Sequence, residues 1–357
     1  MDLSVCLITT ELFAWGRHGG FGRCTRTIGK ALSERGVDVS VVVPRGNGQK
    51  PIEELDGMMV YGFPLYRYPF TGPIYGRLDA DVYHSEEPSW GSTLAMGTMP
   101  GRKHMVTCQN PKTMEDWDAV NRFYPVRRRL FNSILGGALR DAVRRMDAVY
   151  CQSKHAIQKA KGVYGLKADP SFLPNPVEVP RGRPEKADEP TICFLGRFDG
   201  EKRPELFFEL ARRFPEARFM AMGRAHDEDR DRRLRKLYDG IPNLEMPGFV
   251  EGREKSRLLE ESWILVNTSV SEGLPVSFLE AAAHGCAILS FHDPDGFASN
   301  FGFHVREGGL DRGLIFLLEE NRWRDRGEKG HEYVSEVHEA GRVTDLHIEA
   351  YEALLAG

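Results

Sequence analysis

Glu272 and Glu280 lie eight positions apart in SVSEGLPVSFLEAAAHGCAILS, residues 269–290, a segment that is otherwise small and apolar. The turn Ser-Glu-Gly-Leu-Pro leads into a helix with Pro275 near its first position, where the missing N–H does least harm. Backbone N–H groups of Gly273, Leu274 and Val276 then point toward the end of the preceding strand, and with the helix dipole they favour an anion there. Glu280 falls about five residues into the helix, roughly 7–8 Å along it. Carboxylates repel phosphate but accept hydrogen bonds from hydroxyls. An anion with a carboxylate on each side suits a diphosphate with a sugar ring at either end, which describes a nucleotide-diphospho-sugar. The plainer alternative is a half-exposed Glu280 and a Glu272 that merely caps a helix N-terminus.

Arg197 and Lys202 in FLGRFDGEKRPELFFELA follow the apolar strand TICFLG and precede a helix that starts near Pro204. Arginine grips phosphate oxygens with two prongs and lysine adds a point charge. A third group, WGRHGGFGRCTRTIGKAL, places Gly16, Gly19, Gly20 and Gly22 between the first strand and the first helix. Glycines there let a ligand approach the backbone closely. The spacing is not GxGxxG, and no acidic residue ends the second strand, so a dinucleotide site is not indicated.

These residues need strand ends and helix starts to place them, and the chain supplies both. LSVCLIT, VDVSVVVP, ADVYHS, KHMVTCQ and MDAVYCQS read as strands in the first half. After the Pro- and charge-rich FLPNPVEVPRGRPEKADEP, the strands TICFLGR, ARFMAMG, LEMPGFV, WILVNTS and AILSF alternate with helices. This alternation gives parallel sheets with helical crossovers, hence α/β folding in two doubly wound domains, and 357 residues suit two cores. Ligands of such sheets bind at the carboxyl ends of strands, where every candidate above falls.

The formal charge of −4 divides unevenly: residues 1–176 hold 23 Lys+Arg against 17 Asp+Glu, and the remainder 25 against 35. Six scattered cysteines without a CxxC pair or a Cys/His cluster argue against a zinc site or a disulfide framework, and suit a reducing cytoplasm. The N-terminus has no basic residues ahead of its apolar run and reads as a strand, and no apolar run reaches the length of a membrane span. RFYPVRRRLFNSILGGALRDAVRR, residues 122–145, carries seven Arg and one Asp interleaved with apolar residues at helical spacing. It reads equally as a surface for anionic lipid and as a solvated helix; nucleic acid is not indicated, because no recognition fold accompanies the charge.

Taken together, the Gly-rich first turn, LPNPV, GRFDGEKRP, MAMG, PGFV and SEGLPVSFLEAAAHGCAIL with its E-x7-E spacing resemble the retaining nucleotide-sugar glycosyltransferases of family 4, group 1. The resemblance covers nearly the whole chain. It implies the GT-B architecture, two Rossmann-like domains facing each other across a cleft. They would be an acceptor domain over 1–175 and a donor domain over 176–340, with a terminal helix, 341–357, packing back on the first. It also implies roles. Arg197 and Lys202 hold the diphosphate and stabilise the leaving group, Glu272 meets the donor sugar with Gly273 and Leu274 nearby, and Glu280 binds the ribose. Backbone at Phe249 and Val250 meets the base, and Gly19 and Gly20 close on the phosphates. Where relatives often show HxHEP, with the second histidine near the reacting sugar, this chain has YHSEEP. His84 matches the first histidine and is expected among the substrate-binding residues, in a structural more than a catalytic role. Glu86 stands at the second as a catalytic candidate whose carboxylate would accept a hydrogen bond from the sugar. Gln109, after another strand, would line the acceptor site.

The implied reaction transfers a hexose from a UDP-, GDP- or ADP-sugar to a hydroxyl of a glycan, lipid-linked or small-molecule acceptor, with retention. It needs no metal and no other cofactor, and takes place in the cytoplasm, with peripheral contact at the inner membrane face if residues 122–145 meet lipid. The alternatives are a sugar-nucleotide-binding protein altered in catalysis, for which Glu86 is the motive, and another GT-B enzyme such as an epimerase or phosphorylase.

Overall fold

The computed structural model describes residues 3–13, 15, 19–46, 48–123, 136–182, 184–306 and 309–357. Gly16 and half of the basic amphipathic stretch, residues 124–135, lie outside the described residues. Two compact units result, one from residues 1–176 and 338–357, the other from 177–337.

The first unit is built on β1 (Ser4–Ile8), β2 (Asp38–Arg45), β3 (Ile52–Leu55), β4 (Met58–Pro64), β5 (Val82–Ser85), β6 (Lys103–Cys108), β7 (Ala148–Cys151) and β8 (Ser171–Phe172). They form one sheet in the order β3-β4-β2-β1-β5-β6-β7-β8. All neighbours are parallel except β3 with β4, which pair antiparallel. The hairpin departs from the expected all-parallel sheet. It turns through Asp56 and Gly57, both at positive φ (52° and 81°), the backbone that a two-residue type I′ turn requires.

Alternation along the strands sends side chains to two faces. Val5, Leu7, Val39, Val41 and Val60 pack under helix Gly20–Glu34, together with Ile348 and Tyr351 of helix Ala340–Ala356. Cys6, Ile8, Val42 and Tyr83 pack on the opposite face. An Arg35–Asp345 ion pair also ties the first helix to the last.

The second unit holds β9 (Thr191–Leu195), β10 (Arg218–Met222), β11 (Leu244–Gly248), β12 (Ile264–Asn267), β13 (Ala287–Ser290) and β14 (Gly302–His304), all parallel, in the order β11-β10-β9-β12-β13-β14. Here too one strand serves two cores. Ile192, Phe194, Phe219, Ala221, Ile264 and Val266 face helices Pro204–Arg213 and Glu228–Tyr238. Cys193, Met220, Leu265 and Ile288 face helices Gly252–Glu261 and Val276–Ala283. Helices on both faces make each unit doubly wound. All six cysteines are free and buried.

Candidate donor and acceptor sites

A doubly wound sheet opens a crevice where its strand order reverses. In the second unit the order runs outward from β9 through β10 to β11 on one side, and from β12 through β13 to β14 on the other. The reversal therefore lies between β9 and β12. Arg197 and Lys202 follow β9, and Glu272 follows β12. Across the gap Lys202 Nζ donates to Glu272 Oε1 at 2.6 Å, with Asn267 Nδ2, from the last residue of β12, at 3.4 Å from the same oxygen.

The two loops are tied together by backbone as well. Val270 N–H donates to Glu201 O at 2.8 Å, and the Thr268 hydroxyl reaches the carbonyls of Lys202 (2.6 Å) and Arg203 (2.9 Å). Arg203 holds a left-handed backbone, φ 47°, one residue before Pro204 opens its helix. Such a conformation is strained for a residue with a side chain and persists only where contacts enforce it. The guanidinium supplies them, donating to Thr268 O at 2.6 Å and Ser269 O at 3.2 Å.

Arg197 is gripped by carboxylates of its own loop, Asp199 at 2.8 Å and Glu201 at 2.6 Å. Burial works to raise the Asp199 carboxyl, but hydrogen bonds from His226 and the nearby Arg197 outweigh it and hold the group down at about 2. Glu272 shows the same contest: burial raises it, yet Lys202 prevails and the carboxyl sits below its usual range. His292, after β13, stays neutral more readily because burial lowers it, and its Nε2 is 2.9 Å from Ser269 O. The cations expected to grip phosphate thus sit beside three carboxylates, Asp199, Glu201 and Glu272.

Helix Val276–Ala283 begins one residue after Pro275 and carries Glu280 as its fifth residue. Glu280 is 6% exposed, and its Oε1 accepts from Lys255 Nζ at 2.7 Å. Leu274 is a core residue at 4% exposure, while Gly273 is half-buried. At the end of β11, Gly248 turns with φ +91°, leaving Phe249 exposed and Val250 buried.

The first unit reverses strand order between β1 and β5. Gly19 caps helix Gly20–Glu34 and Gly20 is exposed. The close approach that these glycines permit is made by Glu11. Its Oε1 accepts from Gly22 N at 3.1 Å, and a Cβ on Gly19 would stand 2.8 Å from that oxygen. A carboxylate of the chain itself therefore sits where the sequence suggested phosphate.

Strand alternation settles His84, which shares a face with Val82. It is fully buried, with Nδ1 at 2.9 Å from the Tyr351 hydroxyl and Nε2 at 2.8 Å from Thr107 Oγ1. Burial pushes its pKa well down, so the ring is neutral. It pins the last helix to β6 and does not present a ring nitrogen to a substrate, which corrects the expectation of a binding role. Gln109 is likewise an anchor. Its amide exchanges hydrogen bonds with Asn175, 3.1 and 2.8 Å, instead of lining an open acceptor surface.

Glu86 is 2% exposed, with Oε1 lacking a hydrogen-bond partner among the described residues and lying 3.8 Å from His84 Nδ1. Burial, aided by the neighbouring Glu87, lifts its carboxyl from 4.5 to about 8. The folded chain thus keeps a proton that the unfolded chain releases between those two values. Its stabilising effect is complete at the acid end, fades as pH climbs to about 8 and is flat beyond. Glu86→Gln should therefore melt increasingly above the wild type from pH 5 to 8, by an amount on the order of a few kcal/mol at most. Parallel melting curves for the two proteins across that range would refute the buried, protonated acid.

Asp199, Glu201, Arg203, Lys255 and Glu11 escaped sequence reasoning. The first three were in plain view in RFDGEKR, whereas Lys255 and Glu11 become partners only through the fold.

The arrangement defines an α/β protein of two doubly wound sheets, whose strand order reverses between β1 and β5 and between β9 and β12. The family model for glycosyl transferases group 1 matches residues 178–307, and that for Glycosyltransferase Family 4 matches residues 18–181. The chain belongs to the group 1 glycosyltransferases, with the GT-B fold. It is 23% identical over 309 residues to one of the subunits of human phosphatidylinositol N-acetylglucosaminyltransferase, a match that takes in 80% of this chain and 61% of that protein. Sucrose-phosphate synthase from Thermosynechococcus elongatus superposes with a TM-score of 0.80 at 16% identity, over 99% of this chain and 100% of that one. HepE of Anabaena, solved in complex with UDP-glucose, gives 0.75 at 13% identity over 99% and 100%. No helix among the described residues is long and apolar enough to cross a membrane.

Proposed function

We propose that this chain transfers a hexose from a nucleotide-diphospho-sugar to a hydroxyl acceptor with retention of anomeric configuration. The observation that carries the proposal is the meeting of Lys202 and Glu272 across the strand-order reversal of the second unit, with Arg197 on the same loop as Lys202. Lys202 and Arg197 exchange their carboxylate partners for the donor's diphosphate and neutralise the charge that grows on it as the glycosidic bond breaks. Glu272 accepts hydrogen bonds from the donor sugar, Glu280 from the ribose, and the backbone at Phe249 and Val250 borders the base. The departing phosphate helps the acceptor hydroxyl attack from its own face. Glu86, protonated at neutral pH, acts as a neutral hydrogen-bonding group on the acceptor side.

Two cationic side chains do the work that a divalent ion performs elsewhere, so turnover should persist in EDTA. Complete loss in EDTA, restored by Mg²⁺ or Mn²⁺, would remove the metal-free part of the proposal. The central test is a thermal-shift panel of UDP-, GDP-, ADP- and dTDP-sugars. A ligand at 100 times its Kd adds about 2.7 kcal/mol. The donor that shifts melting should also give glycosylated product over many turnovers. A shift without multiple turnover would favour a sugar-nucleotide-binding protein, and no shift with any donor would end both readings.

A further inference from the structure

Lys255 lies in the first turn of helix Gly252–Glu261, directly after the Phe249–Val250 loop, and its ammonium reaches Glu280 Oε1 at 2.7 Å. Both side chains are largely withdrawn from water, 13% and 8% exposed. A charge-assisted bond between sheltered groups is short and directional, unlike an ion pair in bulk solvent. Holding Oε1 fixes the rotation of the carboxylate, and with it the direction in which Oε2 faces.

We infer that Lys255 is a positioning residue for nucleotide recognition: it locks the Glu280 carboxylate in the orientation that reads the ribose hydroxyls. The inference rests on the proposed role of the second unit as a nucleoside-diphosphate site. Two consequences follow from the chemistry. A carboxylate held in one rotamer discriminates sharply between a ribose and a 2′-deoxyribose, because a missing hydroxyl leaves its lone pair unsatisfied in a sheltered place. The lysine also cancels a negative charge that would otherwise face an incoming diphosphate. The first effect depends on the sugar, whereas the second is the same for both nucleotides.

Lys255 is not the only tie between these helices. Ser256 Oγ stands 2.8 Å from His284 Nε2, and His284 Nδ1 is 2.7 Å from the Glu280 carbonyl. A variant at Lys255 therefore keeps a second link between the two elements, and a purely structural role would leave sugar discrimination untouched.

The experiment measures binding of UDP, ADP and GDP and of their 2′-deoxy counterparts by calorimetry, to the wild type, Lys255→Met and Lys255→Arg, with melting temperatures as a check on folding. The wild type should prefer the ribose form of its nucleotide by roughly 10- to 100-fold. Lys255→Met should bring that ratio close to unity and raise the donor KM while kcat at saturation stays near wild type. Lys255→Arg should restore the ratio. If Lys255→Met weakens both nucleotides equally and keeps the ratio, the lysine serves charge alone and the positioning role is wrong. An unchanged affinity and ratio overturns it as well, as does a Lys255→Arg variant that folds but discriminates no better than Lys255→Met. A wild type that binds none of the three nucleotides defeats the proposed function itself, and the clamp falls with it; a wild type that binds without preferring ribose defeats the clamp alone.

Discussion

Replacing Lys202 or Arg197 with alanine should lower turnover by about 10²- to 10³-fold while the protein still folds, the scale seen when one preorganised donor to a developing charge is removed. The two variants should differ in what they leave behind. Without Lys202, the nearly buried Glu272 loses the partner that holds its carboxyl below the usual range, so this carboxyl rises toward the neutral form. Without Arg197, Asp199 keeps His226, whose Nδ1 is 2.9 Å away, and the loss falls mostly on phosphate binding. A Lys202→Ala/Glu272→Gln double variant separates the two contributions to the first defect. Steady-state kinetics on folded protein decides the matter: near-normal turnover in both single variants would remove the phosphate role from this crevice.

The second large effect concerns the two glutamates, which should fail in different ways. Glu280→Ala should weaken binding of both the nucleoside diphosphate and the intact donor, since the proposed ribose contacts would be present before and during reaction. Uniform binding of this kind raises KM with little change in kcat. Glu272→Ala should leave affinity for the nucleoside diphosphate nearly unchanged and mainly reduce kcat, because in the proposed function it touches the ring that distorts during transfer. Their surroundings agree with the division: Glu280 pairs with Lys255 from the helix after β11, whereas Glu272 pairs with Lys202 from the loop after β9. Calorimetry with the nucleoside diphosphate and kinetics with the donor test this together. Loss of nucleotide affinity in Glu272→Ala, with loss only of turnover in Glu280→Ala, would mean that the donor lies the other way round.

The α/β alternation and the strand-end location of the candidates were legible because periodicity and turn chemistry are local. The β3–β4 hairpin was missed although Asp56-Gly57 is a strong turn signal; the strand before it, IEEL, is half acidic and shows no apolar face. The partnerships within the crevice were out of reach for another reason. Lys202 and Glu272 are 70 residues apart and meet only because β9 and β12 are neighbours, a fact of strand order that spacing does not encode. His84 was a candidate by its match to the HxHEP pattern and Gln109 by its place after a strand. Which face a side chain takes there depends on parity along the strand, and on a helix that arrives far later in the chain than His84: Tyr351 is 267 residues from the ring it meets.

That late helix also constrains how the protein is made. Residues 338–357 complete the first unit, yet the ribosome must first deliver residues 177–337, the whole of the second. At about 5–20 residues per second, this interval lasts roughly ten to thirty seconds. Throughout it, the nascent first unit has no cover for the surface that Ile348 and Tyr351 will close, and His84 waits without the Tyr351 hydroxyl. Domains generally fold as units, and the second unit has its full sequence while the first still lacks its last helix. Chaperone dependence during synthesis should therefore concentrate on the half of the chain that emerges first.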